Sequence, residues 1–197
     1  MFVYFCGMRI QDENKKEAIF KATVKLVNEI GFVSSSVSKI AKEANVSPAT
    51  IYIYYKNKED LLTSTYLQIK RRMGKAMLKD FNENDPVRDI FYKIWINTSD
   101  FIYKHPELAN YAEQFQNSPY YDSVDSKEAE SSFEPMLKVI KKGIEQKIIK
   151  DVSLEIIGAF IYYPVFILSN PRRNRNNALS RKNAEKAFQL AWDAIKL

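Results

Sequence analysis

From residue 13 onward the chain repeats apolar residues at steps of three and four. Over 13–30 these are Ala18, Ile19, Ala22, Leu26, Val27 and Ile30, with charges on the opposite face, which predicts an amphipathic helix. Gly31 stands where that helix must stop, as a C-terminal cap. Ser36 opens the next segment as an N-cap, and Val37, Ile40, Ala41 and Ala44 share one face of a helix over 37–44. Ser47-Pro48 is a further start signal, a capping hydroxyl followed by proline at the first helical position. It predicts a short helix over 48–55. A longer one follows over 58–80, with Glu59 and Asp60 in its first turn.

Beyond "NENDPV" the same periodicity predicts helices over 86–104, 107–117, 127–147, 153–169 and 179–196. The clearest loops are "SPYYDSVDS" and "SNPRRNRNN", both rich in turn formers. Pro164 should kink the helix that contains it. No alternating β-branched segment of strand length and no internal repeat occur in the sequence. The pattern is that of an all-α chain with a break near residue 80.

Composition narrows the function classes. Of 197 residues 46% are apolar and 27% charged, with 5 Gly and 7 Pro, a profile of a folded helical protein. The single cysteine, Cys6, excludes an internal disulfide and suits a reducing, cytoplasmic location. One Cys and one His cannot form a thiolate or imidazole zinc site, and His105, in Lys-His-Pro, marks a helix end. No metal or cofactor is expected. The apolar start "MFVYFCG" has no long apolar core or cleavage site behind it. Residues 1–12 are therefore expected to be an extension, disordered or preceding a usual start at Met8. The longest apolar run, 13 residues over 156–168, is too short to span a bilayer.

Charge points to a partner. Residues 1–80 hold 14 Lys/Arg against 8 Asp/Glu, and residues 81–197 hold 16 against 16. The whole excess of +6 lies in the first lobe, as expected of a polyanion-binding module. That lobe also contains two short helices three residues apart, the dimensions of a helix-turn-helix. Ala41 is small where the helices must cross, Asn45 stands where the turn needs positive φ, and Ile51 plugs the second helix. With Ile51 inward, Tyr55 follows it into the core. Tyr52 flanks, and Ala49, Thr50, Ile53 and Tyr54 turn outward. Pro48, Ala49 and Thr50 would enter the major groove, where a methyl or hydroxyl meets thymine methyls or base acceptors. Lys58, at the next helix start, would hold a phosphate.

The run "AIFKATVKLVNEIGFVSSSVSKIAKEANVSPATIYIYYKNKEDLL", residues 18–62, resembles the DNA-binding domain of the TetR (tetracycline repressor) family. The marks are Gly31-Phe32, Ser36-Val37, Ile40-Ala41, Ala44, Val46-Ser47, Tyr52, and Lys58 followed by Leu61. The resemblance implies an N-terminal three-helix helix-turn-helix domain plus a C-terminal helical domain for ligand binding and dimerisation. Domain limits follow as 13–57 for DNA binding, 58–80 for a connecting helix that acts as the lever, and 81–197 for effector binding and dimerisation. Ser36, Tyr52 and Lys58 would hold phosphates, with Ser38 and Lys39 beside them in the DNA-binding set. Pro48, Ala49, Thr50 and Tyr54 would lie at the bases. Two positions depart from the family pattern: Asn45 replaces the common Gly, and Tyr54-Tyr55 replace His-Phe.

Beyond residue 81 the match is one of layout. The family arrangement implies an effector cavity, largely apolar, from Trp95, Thr98, Ile102, Tyr111, Gln114, Phe115 and Tyr120, although an aromatic stripe at helical spacing also describes plain core. "SLEIIGAFIYYPVFILS" is apolar on too many sides for a monomer surface. With the last helix it suggests a two-fold, four-helix interface through Ile157, Phe160, Ile161, Pro164, Phe188 and Trp192. The expected function is a dimeric repressor, released from a palindromic double-stranded operator by an unidentified small molecule. The alternatives are a ligand-independent architectural DNA binder and a helical enzyme with a basic lobe. For the enzyme the sequence offers no Gly-rich phosphate loop, no G-x-S-x-G and no Cys–His pair.

Overall fold

The computed structural model describes residues 2–125, 131–171 and 181–197, with side chains from Asp12 in the first helix and from Asn183 in the last. The elements are α1 (Phe2–Ser34), α2 (Val37–Glu43), α3 (Pro48–Tyr54), α4 (Lys58–Met77), α5 (Val87–Lys104), α6 (Pro106–Gln116), a 3-10 turn (Pro119–Ser123), α7 (Glu134–Glu145), α8 (Leu154–Ile161), α9 (Tyr163–Ser169) and α10 (Arg181–Ile195). Among the described residues there is no strand, only a single bridge between Ile149 and Lys196. None of the described helices is long and apolar enough to cross a membrane. The chain forms two compact units, residues 1–69 with 110–124, and residues 70–109 with 125–197.

Several boundaries differ from the sequence expectation. α1 runs from Phe2 to Ser34, so residues 2–12, expected as an extension, continue the first helix. "SPYYDSVDS" holds a 3-10 turn. Residues 126–130, the start of the expected 127–147 helix, and most of "SNPRRNRNN" lie outside the described residues.

In the first unit, Ile19 and Ala22 of α1, Val37, Ile40, Ala41 and Ala44 of the α2 segment, Ile51 of α3 and Leu61 of α4 form one apolar cluster. Burying them holds helices too short to stand alone. Gly31 breaks the regular course of α1 at φ 76° and ψ 170°, a conformation that side chains strain to adopt. Asn45 has φ 54°, and the Val46 N–H donates to Ala41 O at 2.9 Å, so the turn closes on a left-handed residue as the sequence expects. A separate aromatic set gathers around Phe115, stacked on Tyr66 with centroids 4.6 Å apart and met edge-on by Phe32. Tyr111 donates from its hydroxyl to Leu62 O at 2.9 Å.

The second unit is organised by α5, whose Val87, Ile90, Phe91, Ile94, Trp95, Thr98, Phe101 and Ile102 are all buried. Phe188 and Trp192 of α10 pack against this face, Phe188 on Tyr92 and Trp95, and Trp192 on Phe91. The expected 153–169 helix is two helices that part at Tyr162. Pro164 sits in the first turn of α9, where it cannot donate back to α8. The indole N–H of Trp95 donates to Ile161 O at 2.8 Å, satisfying a carbonyl at the break.

Trp95→Phe removes that donor and part of the core at once. It should cost about 3 kcal/mol in urea denaturation. At the α2–α3 turn, Asn45→Val should cost about 1–2 kcal/mol by forcing a β-branched residue to positive φ. Asn45→Gly should stay within about 0.5 kcal/mol of the parent, since glycine adopts that φ freely.

Candidate nucleic-acid interface

The site is built by local bonds before any partner arrives. Ser36 caps α2 by accepting the Lys39 N–H at 3.3 Å, and the Lys39 ammonium reaches back to Ser34 O at 3.1 Å. Ser35 donates to Gly31 O at 2.7 Å and Lys58 donates to Val33 O at 3.2 Å. The irregular end of α1 is thus held by three side chains from beyond it. Partial burial draws the Lys58 ammonium below the usual lysine pKa. Lys25 and Glu43, 2.6 Å apart, join the exposed sides of α1 and α2.

α3 is capped by Ser47, whose hydroxyl accepts the Thr50 N–H at 3.1 Å and lies 2.9 Å from the Thr50 hydroxyl. Pro48 follows as the first helical residue. Ile51 points inward and is 1% exposed, whereas Tyr52 and Ile53 are 56% and 76% exposed. Ser36, Ser38, Lys39, Pro48 and Ala49 are exposed as well, and Thr50 and Lys58 are half-buried. None of these expected contacts is buried in the apolar cluster.

Tyr54 is the exception. It is half-buried, packs against the apolar cluster and donates its hydroxyl to Asp12 of α1. Lys16 stands 5.5 Å from its ring. The bond to Asp12, with burial second, pushes its pKa up to about 12, so the phenol stays protonated and donating. An outward Tyr54 reaching the bases is replaced here by a tyrosine tied to α1. Its hydroxyl finds a carboxylate 42 residues away, which helical spacing cannot reveal. Tyr55 packs on the same cluster, and burial raises its pKa. Ile53 faces outward, as the helical repeat expects. Asn57, which accepts the Asp60 N–H at 2.8 Å while Asp60 accepts the Lys56 N–H at 2.7 Å, caps α4 in a pattern the Asn-x-x-Asp spacing signals.

The seven residues expected around an effector fall into both units. Tyr111 and Phe115 are fully buried in the first unit's aromatic set. Gln114 and Tyr120 line a cavity of about 530 Å³ with Phe32, Val33, Glu113 and Asn117, and Gln114 donates to Asn28 at 2.9 Å. In the second unit Trp95, Thr98 and Ile102 are fully buried, the Thr98 hydroxyl satisfied by Ile94 O at 2.7 Å. A cavity of about 420 Å³ in that unit is lined instead by Lys70, Met73, Met77, Phe133, Met136, Leu137, Leu154, Glu155 and Phe166. The expected interface residues divide likewise. Ile157, Ile161, Phe188 and Trp192 belong to the subunit's own core and Pro164 is half-buried, while Phe160 is 56% exposed. The outward apolar row on α8, α9 and α10 is Ile156, Phe160, Tyr163, Ile167 and Leu190.

Comparison with known proteins agrees with this geometry. Residues 19–65 match the model of the bacterial regulatory proteins of the tetR family, and residues 86–196 match that of the tetracyclin repressor-like C-terminal domain. The chain is 32% identical to an HTH-type transcriptional regulator of Haemophilus influenzae over 117 residues, 59% of this chain and 63% of that protein. It is 38% identical to a fatty acid metabolism regulator protein of Bacillus subtilis over 79 residues, 40% of this chain and 41% of that one. The matched stretches therefore cover less than two thirds of either relative. The crystal structure of a TetR family transcription regulator from Marinobacter aquaeolei superposes with a TM-score of 0.87 at 31% identity, covering 95% of this chain and 98% of that one. With its C-terminal family model alone covering over half its length, and with a helix-turn-helix of matching geometry in front, this chain belongs to the TetR family of bacterial transcription regulators.

Proposed function

We propose that the protein is a cytoplasmic homodimeric repressor that holds a palindromic operator and releases it when a small, largely apolar effector binds. The observation that carries this reading is the α2–α3 pair. Ile51 of α3 is buried in the core, while Ser36, Ser38, Lys39, Pro48, Ala49 and Tyr52 stay exposed. On this reading Ser36, Ser38, Lys39, Tyr52 and Lys58 grip the phosphate backbone, and the start of α3 enters the major groove. The positive charge concentrated in residues 1–80 supports it through counterion release.

The outward row of Ile156, Phe160, Tyr163, Ile167 and Leu190 supports dimerisation. These are five large apolar side chains on three helices that a monomer would leave exposed to water. A two-fold dimer through α8, α9 and α10 would present two copies of α3 to half-sites about 34 Å apart. For the effector, the cavity walled by Met73, Met77, Met136, Leu137, Leu154 and Phe166 is apolar and, through its thioethers, adaptable in shape. Repression ends when the effector favours a dimer whose two α3 helices no longer fit successive major grooves.

Selection of random duplexes by the full chain should return an inverted repeat, and the absence of any preferred site would sink the proposal. On the selected operator, Lys58→Ala should weaken binding and lower the slope of log affinity against log salt by about 1. Tyr52→Phe should also weaken binding, while its unfolding curve stays that of the parent. Phe160→Glu should yield a folded monomer in analytical ultracentrifugation and lose operator affinity at nanomolar protein. A Phe160→Glu protein that remains dimeric would refute this placing of the interface.

A further inference from the structure

The reading of α3 as the recognition helix leaves open what its outer face can read. Ala49 and Ile53 lie four residues apart and so share a face, about 6 Å from one another along the axis. Both are exposed, Ile53 at 76%. Apart from Tyr52, assigned above to the phosphate backbone, the hydroxyls around them are already engaged. Ser47 and Thr50 lie 2.9 Å from each other, and Ser47 also accepts the Thr50 N–H. Tyr54 donates to Asp12. Pro48 has no N–H to offer. Beside the exposed Tyr52, the face that Ala49 and Ile53 share is therefore aliphatic.

Isoleucine at an exposed helical position gains nothing from helix propensity, and in the free protein nothing covers it. In the major groove its partner is defined by exclusion. Guanine and adenine present acceptors and an amino group, and cytosine presents an amino group. Covering any of these with a butyl side chain leaves a polar group without water or a partner. Thymine alone adds an apolar group, its 5-methyl. We infer that Ile53, with Ala49 beside it, reads thymine 5-methyl groups in each half-site of the operator. The spacing along α3 fits methyls on base pairs less than two steps of about 3.4 Å apart. Asp12 serves the same end by tying Tyr54 to α1, which leaves Ile53 as the most exposed apolar side chain of α3.

The test uses the operator selected by the full chain, with each thymine replaced in turn by deoxyuridine, which keeps every hydrogen bond and lacks only the methyl. Replacement at one or two positions per half-site should weaken binding about fourfold each, the effect of uncovering one methyl group. Ile53→Ala, at an exposed position, should fold as the parent and lose the preference for thymine over deoxyuridine at the position Ile53 covers, keeping any preference at the position Ala49 covers. Replacing cytosine by 5-methylcytosine in a site mutated from thymine at those positions should recover part of the loss. Two results would overturn the inference: indifference of the parent protein to every deoxyuridine replacement, or an Ile53→Ala variant that keeps the parent's full preference for thymine at every position. If no duplex is selected at all, the reading of α3 as a recognition helix fails, a result distinct from either.

Discussion

Seven residues are too few for a helix to persist alone in water, and α2 and α3 have seven each. Their existence depends on the burial of Ile40, Ala41, Ala44 and Ile51 against Ile19, Ala22 and Leu61. Ala41 is fully buried, so a larger side chain there would push the helices apart. Asn45 sets the angle at which they cross. Once these few positions are inward, the helical repeat assigns the rest. Ser36, Ser38 and Lys39 on one helix, and Ala49, Tyr52 and Ile53 on the other, have nowhere to face except solvent. The exposed surface is thus a by-product of the core beneath it, and its rigidity comes from there.

What the sequence made legible was governed by distance along the chain. Caps and turns are local, so Ser36, Ser47 with Pro48, Gly31 and Asn45 were all readable from neighbouring residues. The direction in which Ile51 points was readable from periodicity. The fate of Tyr54 was not, because its partner Asp12 lies in a segment expected to be disordered and in a different helix. Lys58 shows the same limit. Its position at the start of α4 was plain, but its bond to Val33 O depends on how the end of α1 folds after Gly31. Helical spacing places Trp95 on an aromatic stripe that suits a cavity wall. Its indole is instead spent on Ile161 O, a carbonyl that falls at a helix break no periodicity places to the residue.

The helices that carry the C-terminal apolar run show why apolarity alone could not separate core from outer surface. Ile157, Ile161 and Val165 are buried, whereas Ile156, Phe160, Tyr163 and Ile167 are exposed to varying degrees. Both sets are large and apolar, and both repeat at helical steps. Only the packing of Phe188 and Trp192 against α5 selects which stripe serves the subunit's own core. Under the proposed dimer the other stripe is the one left to a second copy, so the apolar surplus noted in the sequence is shared between two cores.

The lysines of the first unit differ in what they are bonded to, and that difference bears on affinity. Lys25 faces Glu43, and the pair contributes no net charge at its site. Lys39 and Lys58 donate to backbone carbonyls, Ser34 O and Val33 O, in the last turn of α1. A carbonyl at the negative end of a helix steadies an ammonium without cancelling its charge. Both ammonium groups are thereby oriented while their field remains available to a polyanion. Burial already lowers the pKa of Lys58, which means its cationic form is under-solvated in the free protein. On the proposed reading, a phosphate brought beside it would favour that cationic form again.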